Sequence, residues 1–243
     1  MGGFETYGVS HLSVVGLGVV GALVLVAVGR SHRGEPAERP FGRAFAVAIL
    51  AFTIPLQILS WVRFDGDPVY ALPLQLCDLA SLTAPYALWT QRRWAVGLTY
   101  FWGLTLTTQA VVTPDLTRDF PDPVYITFWG MHLLVVWAAC YLTWGIGLAP
   151  GWREYRVTVA VTACWAVALL SFNAATGTNY GYLNEKPAAA SALDLLGDWP
   201  WYLLSEVAII LAAWALLTWP WVAGARRRTE RGSPALREGH NPR

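Results

Sequence analysis

Charge is scarce in this sequence. Only 14% of its 243 residues are Asp, Glu, Lys or Arg, where soluble domains carry roughly a quarter. The formal net charge of +1 lacks the basic stripe a nucleic-acid partner would need. There is a single lysine, Lys186. It falls between apolar runs, which excludes a retinal Schiff base inside a helix. The three cysteines, Cys77, Cys140 and Cys164, form no CxxC pair, so neither a zinc site nor a disulfide framework is expected. HExxH and GxSxG are both absent, which sets aside intramembrane metalloproteases and rhomboid-type serine proteases. Haem ligation by His132 with His11 is conceivable, and nothing else in the sequence supports it. No cofactor or metal is therefore expected.

What the sequence does have is apolar length. Hydrophobic residues make up 55% of it and fourteen are Trp, and the mean hydropathy is +0.41. Runs of the length a bilayer requires recur throughout. Seven can be marked, at about 11–29, 44–62, 72–90, 94–112, 125–147, 157–173 and 200–222. The expected fold class is therefore all-α, a polytopic seven-helix transmembrane bundle formed by residues 1–224 as one domain. The first run follows GGFETYG and ends at Arg30, and it reads as a retained helix. Residues 225–243 (ARRRTERGSPALREGHNPR) read as a basic, flexible cytoplasmic tail lying near anionic headgroups.

The charges orient the bundle. Arg30, Arg33, Arg39, Arg43, Arg92, Arg93, Arg153, Arg156 and the six arginines after residue 225 share one side. Arg63, Arg118 and Lys186 are left on the other. By the positive-inside rule the N-terminus is outside and the C-terminus inside, as an odd number of spans requires. The expected location is the plasma membrane.

With that orientation, most polar side chains within the runs fall in the outer half. Gln75, Cys77, Asp78 and Ser81 occupy an arc of roughly 160° on the third helix. Thr105, Thr108 and Gln109 share a face of the fourth. The fifth offers Tyr125, Trp129 and His132 at i, i+4 and i+7, and the seventh Tyr202, Ser205 and Glu206. Helix two adds Thr53, Gln57 and Ser60, and Asn173 closes helix six. Ionisable residues in such helices usually face a bundle interior or a wet cavity and are functional candidates by default.

A thiol nucleophile needs a base, a group to orient that base, and donors for an oxyanion. Cys77 fits the nucleophile and His132 the base. Asp78 or Glu206 fits the orienting acid, and Gln75, Gln109 or Asn173 the donor. Substrates reaching this depth from the outer leaflet would be acyl lipids, so membrane lipids are the expected partners. The competing class is a small-solute or proton-coupled transporter or sensor, with Asp78, His132 and Glu206 lining a polar cavity.

Five segments carry a family resemblance: LPLQLCDLA (72–80), FWGLTLTTQAVVTPDL (101–116), FWGMHLLVV (128–136), TGTNYGYLNEKP (176–187) and GDWPWYLLSE (197–206). In order and spacing, from about residue 45 to 220, they resemble the YwaF-like integral membrane proteins, a seven-helix family. Animal relatives, the transmembrane protein 164 group, look like acyltransferases that remodel ether phospholipids through a membrane Cys and His. The resemblance implies Cys77 and His132 for those roles. Bacterial relatives often place a His two residues before this Cys, where this chain has Gln75. In the outer loop 174–199, Asn179, Tyr180, Lys186 and Pro187 are candidates for a lid that binds lipid, with Lys186 on a phosphate. The alternative is a structured turn bearing interfacial aromatics, among them Tyr202.

Overall fold

The structure is a computed structural model that describes residues 3–186 and 192–232. Its α-helices, in chain order, are α1 (Val9–His32), α2 (Glu38–Arg63), α3 (Pro68–Ala71), α4 (Leu76–Thr90) and α5 (Arg93–Trp102). They continue with α6 (Thr108–Val112), α7 (Pro123–Cys140), α8 (Trp152–Thr176) and α9 (Trp201–Gly232). A π-helical turn, Gly103–Thr107, joins α5 to α6, and a second, Tyr141–Gly145, extends α7. No strand occurs among the described residues.

Local chemistry sets several boundaries. Asp122 Oδ1 accepts from the Val124 N–H at 2.8 Å and starts α7, with Pro123 as its first residue. Gly177, at φ +71°, ends α8 in the left-handed conformation that glycine takes without cost. The third apolar run was expected to be helical from residue 72. Instead Leu72 and Gln75 are extended and the helix begins at Leu76. Pro73 disfavours a helical conformation at the residue before it. Cys77 thus sits in the first turn of α4 rather than within a long helix.

Among the described residues five helices are long and apolar enough to cross a membrane: α1, α2, Pro123–Gly145, α8 and Trp201–Ala225. At 15 residues, α4 spans only about 22 Å, short of a hydrocarbon core of about 30 Å. The fourth run is divided by its π turn. The helix of α9 runs past Ala225 to Gly232, into the segment expected to be a flexible tail. The remainder of that tail, 233–243, lies outside the described residues.

The packing is that of a lipid-facing bundle. On α1, Leu12, Leu17, Val20 and Leu23 are exposed, as are Ile209, Leu216 and Trp219 on α9. Such stretches of exposed apolar surface suit contact with lipid, not water. The core lies between α2, α4, α5 and α7, where Ile49, Ala84, Phe101 and Val135 are fully buried. Helix α1 crosses the second π turn at two glycines. A Cβ on Gly29 would come within 2.7 Å of the Gly145 Cα, so neither backbone can retreat without separating the helices. Gly29→Val is expected to cost about 1–3 kcal/mol and to lower the melting temperature in detergent, while Gly16→Val, in open space, leaves it unchanged.

Candidate functional site

The start of α4, the end of α6, the first half of α7 and the start of α9 surround a cavity of about 390 Å³. Cys77, Asp78, Gln75, Gln109, His132 and Glu206 all line it. Leu56, Leu106, Phe128, Met131 and Trp165 supply its apolar wall. A wider cavity of about 790 Å³ adjoins it and shares Leu56, Gln75, Asp78, Asp115 and Phe128. Arg63 and Arg118 line the wider space. The combination of an apolar wall and a few convergent polar groups is what a small-molecule site requires.

His132 is buried, and its Nδ1 lies 2.8 Å from the Phe128 carbonyl one turn earlier on α7. A carbonyl only accepts, so Nδ1 carries the proton in the neutral ring. Nε2 is then left with a lone pair and no hydrogen bond among the described residues. Such a bond on the far nitrogen fixes the tautomer a general base needs. The orienting group is thus a backbone carbonyl rather than the carboxylate expected from sequence. Tyr125 and Trp129, on the same sequence stripe, pack with Phe4 and Val14 and stay outside the cavity.

Asp78 is held in place on both oxygens. Oδ1 accepts from Gln57 Nε2 at 2.7 Å and Oδ2 from the Gln75 N–H at 3.1 Å. A carboxylate at this position of the first turn caps the helix and suits its positive end. Cys77 lies in the same turn, where the first N–H groups of α4 have no intrahelical carbonyl. No hydrogen bond joins Cys77 to His132 or to any other described residue. Glu206 and Gln109 likewise have side chains without a hydrogen bond among the described residues, so both are available to a ligand.

The other expected residues organise a loop. Asn173 is 1% exposed, and all four of its hydrogen-bonding positions are taken. It donates to the Tyr180 carbonyl and Asn184 Oδ1, both at 3.0 Å, and accepts from Thr178 Oγ1 at 2.9 Å and the Tyr180 N–H at 3.0 Å. No donor remains for an oxyanion. Asn179 binds the Glu185 carbonyl at 2.8 Å and accepts from the Asn184 and Glu185 N–H groups. Lys186 Nζ lies 3.7 Å from Asp198 and 5.9 Å from the centre of the Tyr202 ring. Pro187 lies outside the described residues. Tyr202 is buried and donates to the Tyr182 carbonyl at 2.6 Å.

That loop forms one wall of the site. Gln75 Oε1 accepts from the Gly181 N–H at 2.9 Å, and Trp165 Nε1 donates to the Leu74 carbonyl at 3.0 Å. These bonds satisfy non-helical backbone that lipid could not. Tyr182 lines the cavity and donates to Asp115 at 3.3 Å. Sequence reasoning missed Asp115, Tyr182 and Trp165 as parts of the site. Asp115 stands in the quoted segment ending VVTPDL, just past the fourth apolar run, and its place at a run's end was the available signal. Among the residues of that run, Thr105 instead accepts from Trp214 Nε1 at 3.0 Å and Thr108 donates to the Gly103 carbonyl at 3.0 Å. His11, weighed above beside His132, accepts the Tyr7 N–H on Nδ1 at 2.9 Å, and its Nε2 bonds the Val111 carbonyl at 2.8 Å.

Asn173→Ala would remove four hydrogen bonds and leave the Tyr180 carbonyl and N–H unpaired. At about 0.5–1.5 kcal/mol net for each bond, the loop is expected to loosen before the helices do. Limited proteolysis should show earlier cleavage within 177–186 than in the wild type.

Several long apolar helices, lipid-facing side chains and an internal amphipathic cavity define a multi-pass helical membrane protein. A sequence profile of the TMEM164 family matches residues 6–218. The chain belongs to the TMEM164 family. No curated protein and no solved structure matches it.

Proposed function

We propose that the protein is a membrane-embedded lipid acyltransferase that works through a thioester on Cys77. The observation that carries this reading is the meeting of Cys77 and His132 in one amphipathic cavity, with the histidine's free nitrogen left as an acceptor. Kinship with the YwaF-like proteins belongs to the same reading, as do seven spans, an external N-terminus and a plasma-membrane location. In that arrangement the extended segment from Leu72 together with α4 makes the third span, α5–α6 make the fourth, and the cavity opens toward the outer leaflet.

The chemistry divides into two halves. His132 Nε2 takes the proton from Cys77, directly or through one water. The thiolate sulfur then attacks the ester carbonyl of an acyl lipid. Negative charge develops on the carbonyl oxygen, where the unpaired N–H groups at the start of α4 and the Gln109 amide are donors within the same site. The tetrahedral species collapses, the C–O bond breaks, and the departing lysolipid oxygen takes the proton from His132. The acyl group now rides on sulfur. In the second half an acceptor hydroxyl gives its proton to His132 and attacks the thioester, which restores the thiol.

Asp78 acts as a positioning residue in this scheme. It caps the helix that carries Cys77 and ties it to α2 through Gln57. Glu206, in the same cavity and without a hydrogen bond among the described residues, would when ionised favour a protonated His132 midway through each half. Asn179 and Lys186 act on lipid only through the loop they shape.

A lipidomic comparison of membranes expressing wild type, Cys77→Ser and His132→Ala tests the proposal. The expected result is a shift in acyl-chain distribution with wild type alone. Identical profiles from three folded, abundant proteins would end the enzyme reading. One observation favours a second reading: Glu206 is a carboxylate without a hydrogen bond among the described residues, in a cavity that also holds Asp78 and Asp115. A proton-coupled carrier or sensor would use such groups, and it would tolerate Cys77→Ser while failing with Glu206→Gln.

A further inference from the structure

The far ends of α1, α7 and α9 enclose a different cavity, of about 710 Å³. From His132 to Trp144 the chain runs about 18 Å along one helix at ~1.5 Å per residue, so this cavity and the Cys77 site lie at opposite ends of the bundle. Arg30, Arg33, Thr143, Trp144, Gly147 and Trp221 line it.

Arg30 and Arg33 are both exposed, each guanidinium rests against the cavity wall, and neither is neutralised by an ion pair among the described residues. Arg30 donates through Nε to the Trp144 carbonyl at 3.3 Å, which fixes the group to the wall and leaves its terminal nitrogens without a hydrogen bond among the described residues. Arg33 lies against Gly147, where a Cβ would come within 2.5 Å of its Cζ and Nη2. Gly147 is at φ +84°, so the same glycine makes the left-handed turn and gives the guanidinium its place. Glu38 acts on Arg33 only through space. Its two oxygens are occupied by the Gly34 N–H at 2.8 Å and by Gln91 Nε2 at 2.9 Å.

The wall also holds an unsatisfied group. Thr143 is 2% exposed, and its hydroxyl has no hydrogen-bond partner among the described residues. Buried hydroxyls are normally paired, and a turn of the Thr143 side chain, which lines the cavity, would bring this one to a ligand oxygen. Beside it the Trp144 and Trp221 rings stand 5.7 Å apart, with Trp221 anchored by a 3.0 Å hydrogen bond to the Tyr100 hydroxyl. Two fork-shaped cations, a hydroxyl donor and a rigid aromatic back wall match a phosphate group.

We propose that this cavity binds a phosphate group, carried either by an anionic lipid headgroup or by a free anion. Exposed Leu216 and Trp219 on α9 set neighbouring lipid at its edge. Basic pockets between membrane helices are known to take anionic headgroups. The site is independent of the chemistry at Cys77.

Thermal unfolding of the protein in phosphatidylcholine nanodiscs provides the test. Phosphatidylglycerol is added to the bilayer in one arm, and sodium phosphate at constant ionic strength in the other. A ligand that binds only the folded state raises the melting temperature, here by about 3 °C or more. A rise with phosphatidylglycerol alone identifies the headgroup as the source, and a rise with phosphate in the neutral bilayer identifies the free anion. Arg30→Gln/Arg33→Gln should abolish the shift and Thr143→Val should reduce it. Arg153→Gln/Arg156→Gln, which removes two charges outside the cavity, should retain it. The proposal is overturned by no shift in the wild type in either arm, by a shift that survives Arg30→Gln/Arg33→Gln, or by equal loss in the Arg153/Arg156 variant. Should the Arg30/Arg33 variant fail to fold, an undiminished shift in Thr143→Val overturns it alone.

Discussion

Cys77→Ser is expected to reduce lipid acyl transfer on the order of 10³-fold or more, with the folded protein still abundant in the membrane. The substitution exchanges sulfur for oxygen and leaves the shape of the cavity nearly unchanged. No hydrogen bond to the Cys77 side chain is present among the described residues, so none is lost. The loss would be chemical. A serine hydroxyl yields its proton to a neutral imidazole far less readily than a thiol does, and among the described residues no carboxylate is bonded to the imidazole to assist. Unchanged melting temperature beside lost turnover is the signature. A carrier working through Asp78 or Glu206 would keep its transport in this variant.

His132→Ala is expected to lower the rate by about 10²–10⁴-fold, the usual worth of a positioned general base. The structural cost should be small, because the Phe128 carbonyl keeps its place in the α7 helix when the side-chain bond is removed. The double variant Cys77→Ser/His132→Ala should be little worse than Cys77→Ser alone, since residues acting as one unit are strongly non-additive. Multiplied losses would mean that the two residues serve separate functions. Initial rates of acyl exchange in reconstituted vesicles, measured for the three variants against wild type, decide between these outcomes.

The sequence carried the membrane class and the convergence of Cys77, His132, Asp78, Glu206, Gln75 and Gln109 on one cavity, because burying polar side chains among apolar runs is costly and therefore visible. It was less informative about what each polar group is bonded to. The Phe128 carbonyl that holds His132 is backbone and leaves no mark in residue identity. Asp78 and Asn173 looked equally free in the sequence. The fold spends one on a helix cap and the other on four bonds within a loop. Pro73 delays α4 to Leu76, an effect that hydropathy alone ignores, and it turns Cys77 from a mid-helix residue into one at a helix start. The π turn at Gly103–Thr107 breaks the 3.6-residue period on which the shared face of Thr105, Thr108 and Gln109 depended.

The most direct measurement is the intact mass of the purified protein after brief incubation with a diacyl phospholipid and no acceptor. A thioester on Cys77 predicts one added acyl group, removed by neutral hydroxylamine, absent in Cys77→Ser and formed more slowly in His132→Ala. An acyl adduct that persists in Cys77→Ser, or wild-type protein that exchanges acyl chains between lipids without ever carrying one, would contradict the account.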